Sequence, residues 1–177
     1  MVSTAAAERF QAAPWLSDLD PTARLSLLKV LREGRAGAGS VLLAEGQPND
    51  RITFLIEGTA QIVRTYPDRA EELVATLTAP APFGETSFFR SQPPIVSVRA
   101  RTPAWFLLLD REAYASFRRD DPRAAEQFAL ATVRVLAERF DLLDRRVSEF
   151  LAEHANDHPR ASEWAAFRAR LFEESNL

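Results

Sequence analysis

The sequence predicts a mainly β, α+β fold: an antiparallel β-roll or jelly roll, with an N-terminal helix before it and a long C-terminal helix after it. Three observations predict it. Between residues 41 and 109, short β-rich runs recur at spacings of about 8–12 residues with turn residues between them, the rhythm of an antiparallel barrel or sandwich. Helical periodicity brackets that region on both sides. No strand–helix–strand alternation runs through it, so a parallel doubly wound sheet is excluded.

The elements follow in order. Residues 1–13 are small and polar and are expected to be a flexible N-terminus. Trp15, Leu16, Leu19, Leu25, Leu28 and Leu31 then recur at helical spacing. Asp20 before Pro21 is a good N-cap followed by proline at the first helical position. A short turn and a helix over about 21–33 are expected, closed by Gly34, Gly37 and Gly39. The strand candidates are Val41–Ala44, Ile52–Glu57, Thr59–Thr65, Glu72–Leu77, Ile95–Arg101 and Trp105–Leu109. Between them lie Glu45-Gly46, Pro48-Asn49-Asp50, Glu57-Gly58, Tyr66-Pro67-Asp68 and Pro80–Gly84. A short helix is expected over Glu112–Phe117. Asp121-Pro122 caps a long one running to about Ala155, Pro159 ends it, and a last amphipathic piece spans about 161–173. The domain reading is therefore 1–13 flexible, 14–155 roll with its long helix, and 156–177 a short amphipathic helix or tail.

Composition narrows the function. The chain has 177 residues, 46% of them hydrophobic, which fills a core without disulfides or metal. It has no cysteine, which excludes thiolate metal sites and cysteine nucleophiles. The net charge is −3, a poor balance for gripping a nucleic-acid backbone. No apolar run approaches the roughly 18 residues that suggest a membrane span. Met1–Phe10 lacks the basic and apolar pattern of a secretory signal, so a cytoplasmic location is expected. Lys29 is the only lysine, and the arginine richness reads as compositional bias rather than phosphate recognition.

Three ordered elements carry a family resemblance. The first is Val41 to Gly58, a strand, a Glu45-Gly46 turn, a second strand and Gly58. The second is Phe83-Gly84-Glu85-Thr86-Ser87-Phe88-Phe89. The third is Val96-Ser97-Val98-Arg99-Ala100. In this order and spacing they resemble the cyclic nucleotide-binding domain family, the group with the catabolite activator protein-like β-roll. The resemblance covers about residues 14–150.

It implies a pocket. In the family a glycine and the start of a short helix offer backbone N–H groups to the cyclic phosphate. A glutamate accepts from the ribose hydroxyl, and an arginine pairs with the phosphate. Gly84 and Glu85 match the first two roles, with Thr86 and Ser87 beside them. The family's Pro-Arg-Ser/Ala step falls on Pro93-Pro94-Ile95. Pro94 brings neither charge nor N–H to the arginine's position, and Ile95 is bulky where a small residue leaves room. A lost charge-assisted hydrogen bond is worth about 1.5–3 kcal/mol, roughly ten- to a hundredfold in affinity. Arg90, within the same loop, is the candidate substitute, and Arg99 matches a position that is commonly arginine. Alternatively, Glu85 serves only the local structure. No cofactor is expected beyond a possible cyclic nucleotide ligand.

The long helix carries a heptad seam. Ala129, Leu136, Leu143 and Phe150 fall at one apolar position, and Val133, Phe140 and Val147 at the other. Arg139 and Asp144 could pair across a parallel dimer. Leu130, Val135, Leu142 and Leu151 are expected to cover the chain's own roll. A homodimer follows, because two apolar sides need two partners; the other reading is one broad core-facing stripe in a monomer.

Other chemistries are set aside. His154, Asp157 and His158 have metal-compatible spacing but read as a solvated face, so no metal is expected. These are the chain's two histidines, and no glycine-rich phosphate loop with a lysine is present, so no catalytic residues and no enzyme are expected. Trp164, Phe167 and Leu171 form one small amphipathic face, too little for a helix-turn-helix and suited to docking a protein partner. Arg118, Arg119 and Arg123 are offset by Asp120 and Asp121. The expected function is a non-enzymatic regulatory module with a degenerate cyclic nucleotide-binding domain that acts through protein partners. The alternatives are a sensor of a cyclic nucleotide or related small anion and, behind it, a transcription regulator.

Overall fold

The computed structural model describes residues 2–66 and 69–153. The chain divides into two units, Met1–Thr132 and Val133–Leu177. The first holds two antiparallel sheets. Strands β1 (Arg32–Ala36), β8 (Ala104–Asp110), β3 (Arg51–Glu57) and β6 (Ala81–Phe83) lie side by side in that order. Strands β2 (Val41–Leu43), β7 (Ser97–Ala100), β4 (Thr59–Tyr66) and β5 (Arg69–Thr78) form the other sheet. This is the antiparallel β-roll that the sequence predicts.

Two cores explain the strand sequences. Leu55, Ala60, Phe83, Val98, Ala100 and Ala104 pack inside the roll. Ile52, Phe54, Ile56, Leu107 and Leu109 face the other way and pack with residues of the helices, including Phe10, Leu27, Phe117 and Phe128. Strand β3 is thus covered on both faces, which is why Ile52 to Ile56 reads as a continuous apolar run rather than an alternation.

The helices are α1 (Thr4–Gln11), α2 (Pro21–Val30), α3 (Glu85–Arg90), α4 (Arg111–Asp120) and α5 (Pro122–Glu153). The expected N-cap at Asp20 is present, its carboxylate accepting from Ala23 N at 2.8 Å. The segment expected to be flexible forms α1. Ser3 caps it, Glu33 accepts from Ser3 N at 2.8 Å, and Phe10 is buried edge-on against Phe54 and Trp15. Such long-range packing is invisible to local composition.

Two further boundaries are corrected. The helix expected to reach residue 33 stops at Val30, and β1 follows at once, pairing from Arg32 opposite Leu108 to Ala36 opposite Ala104. Gly34 is a strand residue, not a helix terminator. It sits opposite Phe106, whose ring would lie 2.4 Å from any added Cβ. The stretch read as a turn before Gly84 contains β6, which pairs Phe83 with Thr53.

Candidate functional site

Strand β6 delivers the chain to Gly84, which takes φ +83° as the N-cap of α3. An L side chain is costly in that left-handed region. An added Cβ would also lie 3.0 Å from the Arg51 carbonyl oxygen. The Phe88 N–H donates to Gly84 O at 3.0 Å and closes the helix's first turn. Glu85 is 3% exposed and Ser87 is buried beside it, while Thr86 is exposed. Thr86 Oγ1 donates to Glu85 Oε1 at 3.4 Å, and Ser87 Oγ donates to Gly84 O at 3.1 Å. The structure therefore brings Gly84, Glu85, Thr86 and Ser87 together as one turn of backbone and polar side chains.

Two residues that the sequence reading passed over hold this turn. Asn49, in the turn before β3, points its amide at this cassette of residues 84–87. Its Nδ2 donates to Arg51 O at 2.8 Å, Gly84 O at 3.0 Å and Ser87 Oγ at 2.9 Å. At the other end of α3, Arg111 Nη2 donates to Phe88 O at 2.6 Å and Ser91 Oγ at 3.2 Å, with its guanidinium 4.7 Å over the Phe88 ring. Asn49 reads only as a member of the Pro48-Asn49-Asp50 turn. The residue types alone carried no signal of these contacts.

Pro94 is buried, and its carbonyl accepts from Gly46 N at 2.9 Å, tying it to the Glu45-Gly46 turn. Ile95 is 66% exposed. Arg99 forms a two-pronged pair with Glu71 at 2.9 and 3.1 Å. Arg90 is exposed in the last turn of α3, the end opposite Gly84. The neighbouring guanidiniums of Arg99 and Arg111 are thus turned to a carboxylate and to the C-terminal end of α3.

The electrostatics concentrate at helix starts. Asp20 is held below its ordinary value of 3.8, first by the Gln127 amide and then by the Ala23 N–H. Asp121, the cap of α5, is held below the same value by the Ser26 hydroxyl and then the Ala124 N–H. Glu33 is lowered chiefly by the Ser3 backbone N–H.

Along α5 the predicted seam residues Val133, Phe140 and Leu143 are each more than half exposed, while Leu136 and Val147 are partly covered. Leu130 and Leu142, expected to be covered, are exposed, and Val135 is buried. Leu130 lies two residues from the buried Phe128, about 200° around the helix, so it cannot share that residue's face. The side chain of Phe150, together with His154, Asp157, His158, Trp164, Phe167 and Leu171, lies outside the described residues. Among the described residues no cluster of ligating side chains could hold a metal, and no helix is long and apolar enough to cross a membrane.

Comparison with known proteins adds an independent line. The profile of the cyclic nucleotide-binding domain matches residues 33–121. A CRP-like cAMP-activated global transcriptional regulator of Mycobacterium tuberculosis is 33% identical over 135 residues, which cover 76% of this chain and 57% of that protein. The chain thus spans little more than half the length of that relative. A cyclic nucleotide-binding domain from Methylobacillus flagellatus superposes with a TM-score of 0.73 at 20% identity, covering 80% of this chain and 82% of its own. The N-terminal domain of a transcriptional regulator from Streptomyces coelicolor gives 0.65 at 26% identity, covering 75% and 95%.

Proposed function

The chain belongs to the cyclic nucleotide-binding domain family, and from that premise we propose that it is a regulatory module that has kept the family's frame while losing the grip on the cyclic phosphate. The observation that carries this reading is Pro94. It stands where the family's phosphate-binding arginine belongs, it is buried, and its carbonyl is engaged by Gly46. A proline there supplies neither a guanidinium nor an N–H to an anion. Arg99 is paired with Glu71, and Arg111 is anchored at the C-terminal end of α3. Without a cation in the arginine's place the cassette offers only backbone N–H groups and hydroxyls such as that of Thr86, and a phosphate must shed water to reach them.

In this reading Gly84, Asn49 and Ser87 maintain a shaped loop, and the buried Glu85 serves that loop rather than a ribose. The module signals by contact, without catalysis. Its α5 seam, Val133, Leu136, Phe140, Leu143 and Val147 with Phe150, joins two copies. Trp164, Phe167 and Leu171 dock a protein partner. Two of the relatives named above are described as transcriptional regulators, which supports a regulatory, non-enzymatic role. The mild negative charge argues against direct nucleic-acid binding by these residues.

Thermal melting with and without about 1 mM cyclic AMP or cyclic GMP tests the proposal. A micromolar binder at a thousand times its Kd gains about 4 kcal/mol, roughly 10 °C in Tm for a domain of this size. We expect no shift. A shift of that size with either nucleotide would return the pocket to the sensor reading, with Glu85→Ala then abolishing it.

A further inference from the structure

We propose that the cleft behind the cassette is an exterior binding site for a small anion, with Arg111 as its cationic anchor. The turn before β3, the loop after α3 and the start of α4 border an open cleft of about 540 Å³ between Pro48, Asn49, Ser91, Gln92, Pro93 and Arg111. That volume lies within the range of about 300–1,000 Å³ usual for small-ligand sites. None of Gly84 to Ser87, Pro94 and Ile95 lines this cleft, so it is not the pocket that the family resemblance implies. The inference does not depend on whether that pocket binds a nucleotide.

The lining chemistry selects the ligand. A guanidinium carries five N–H donors in a rigid fork. Among the described residues the hydrogen bonds of Arg111 run through Nη2 alone, to Phe88 O and Ser91 Oγ. Each two-pronged edge of the guanidinium includes Nη2, so a carboxylate or phosphate taking two parallel bonds shares Nη2 with Phe88 O and Ser91 Oγ. Asp50 also lines the cleft. Its carboxylate accepts from Arg51 Nε at 3.1 Å, which moderates its repulsion of an anion. Ser91 and Gln92 add neutral donors, and Pro48 and Pro93 supply rigid apolar walls. The site therefore suits a small carboxylate or phosphate carrying a short apolar portion.

The position gives such a ligand leverage. Arg111 holds the C-terminal end of α3 at Phe88 O, and Asn49 holds its start at Gly84 O. Both line the cleft. An anion that recruits Arg111 competes with Phe88 O and Ser91 Oγ, and so changes how firmly the cassette helix is held.

Amide NMR of the full chain tests this, with titration first by inorganic phosphate and then by succinate at constant ionic strength. The expected result is saturable shifts at Ser91, Gln92 and Arg111. Saturation by both anions identifies a general anion site; saturation by one alone assigns the site to that group. Arg111→Lys keeps the charge but not the fork, and is expected to weaken the response roughly fivefold. Arg111→Gln should abolish it, and Gln92→Ala, at an exposed loop position, should weaken it without disturbing the fold. Unsaturable drift with both anions in the parent protein, or an unchanged response in Arg111→Gln, would overturn the proposal.

Discussion

Gly84 and Asn49 carry the shape of the cassette at the level of single side chains. Gly84→Ala places a Cβ at φ +83° and 3.0 Å from a backbone oxygen. We expect a loss of about 1–2 kcal/mol, read as a lower urea midpoint with an unchanged slope. Asn49→Ala leaves three acceptors without their amide donor. A loss of about 1–3 kcal/mol is expected, with amide exchange over α3 rising more than over β3. The helix-capping aspartates set an acid limit. Because the folded state depresses Asp20 and Asp121 below 3.8, their contribution is full above that value and is lost as pH falls through the lower folded values. Melting curves from pH 6 to 3 should show a shallower acid decline for the doubly substituted Asp20→Asn, Asp121→Asn protein than for the parent. Both carboxylates are solvent-accessible, so this contribution is modest.

At the scale of elements, the seam on α5 makes the clearest prediction. Val133, Phe140 and Leu143 are exposed at coiled-coil spacing. Light scattering should give a dimer for the parent and a monomer for Phe140→Asp with Leu143→Asp, with the β-sheet circular dichroism of the roll retained. A monomeric parent would remove the seam from the account. Some of these elements are legible in the sequence and some are not. The β3 and β4 strands and the helix starts at Asp20 and Asp121 were readable, because alternation, apolar runs and capping residues are local signals. Helix α1 and strand β1 were not. The first is stabilised by Phe10 against Phe54 and Trp15, the second by pairing with β8, and both depend on residues far away in the chain. Gly34 was misread for that reason, since its need for space comes from Phe106 across the sheet.

For the whole molecule, the roll was legible from three motifs in order, and the profile match over residues 33–121 agrees with them. The site was legible only in part. Gly84 to Ser87 could be found as a motif, but Asn49 and Arg111 hold it through hydrogen bonds that no spacing rule encodes. The proline at position 94 is visible in the sequence, and the fold adds that the neighbouring Arg99 is already paired with Glu71. The central claim is that this frame no longer reads a cyclic phosphate. Calorimetric titration with cyclic AMP and cyclic GMP into the millimolar range, run beside a Pro94→Arg, Ile95→Ser protein, tests it most directly. The account predicts no saturable heat for the parent and measurable binding by the restored variant. Saturable micromolar binding by the parent would contradict it.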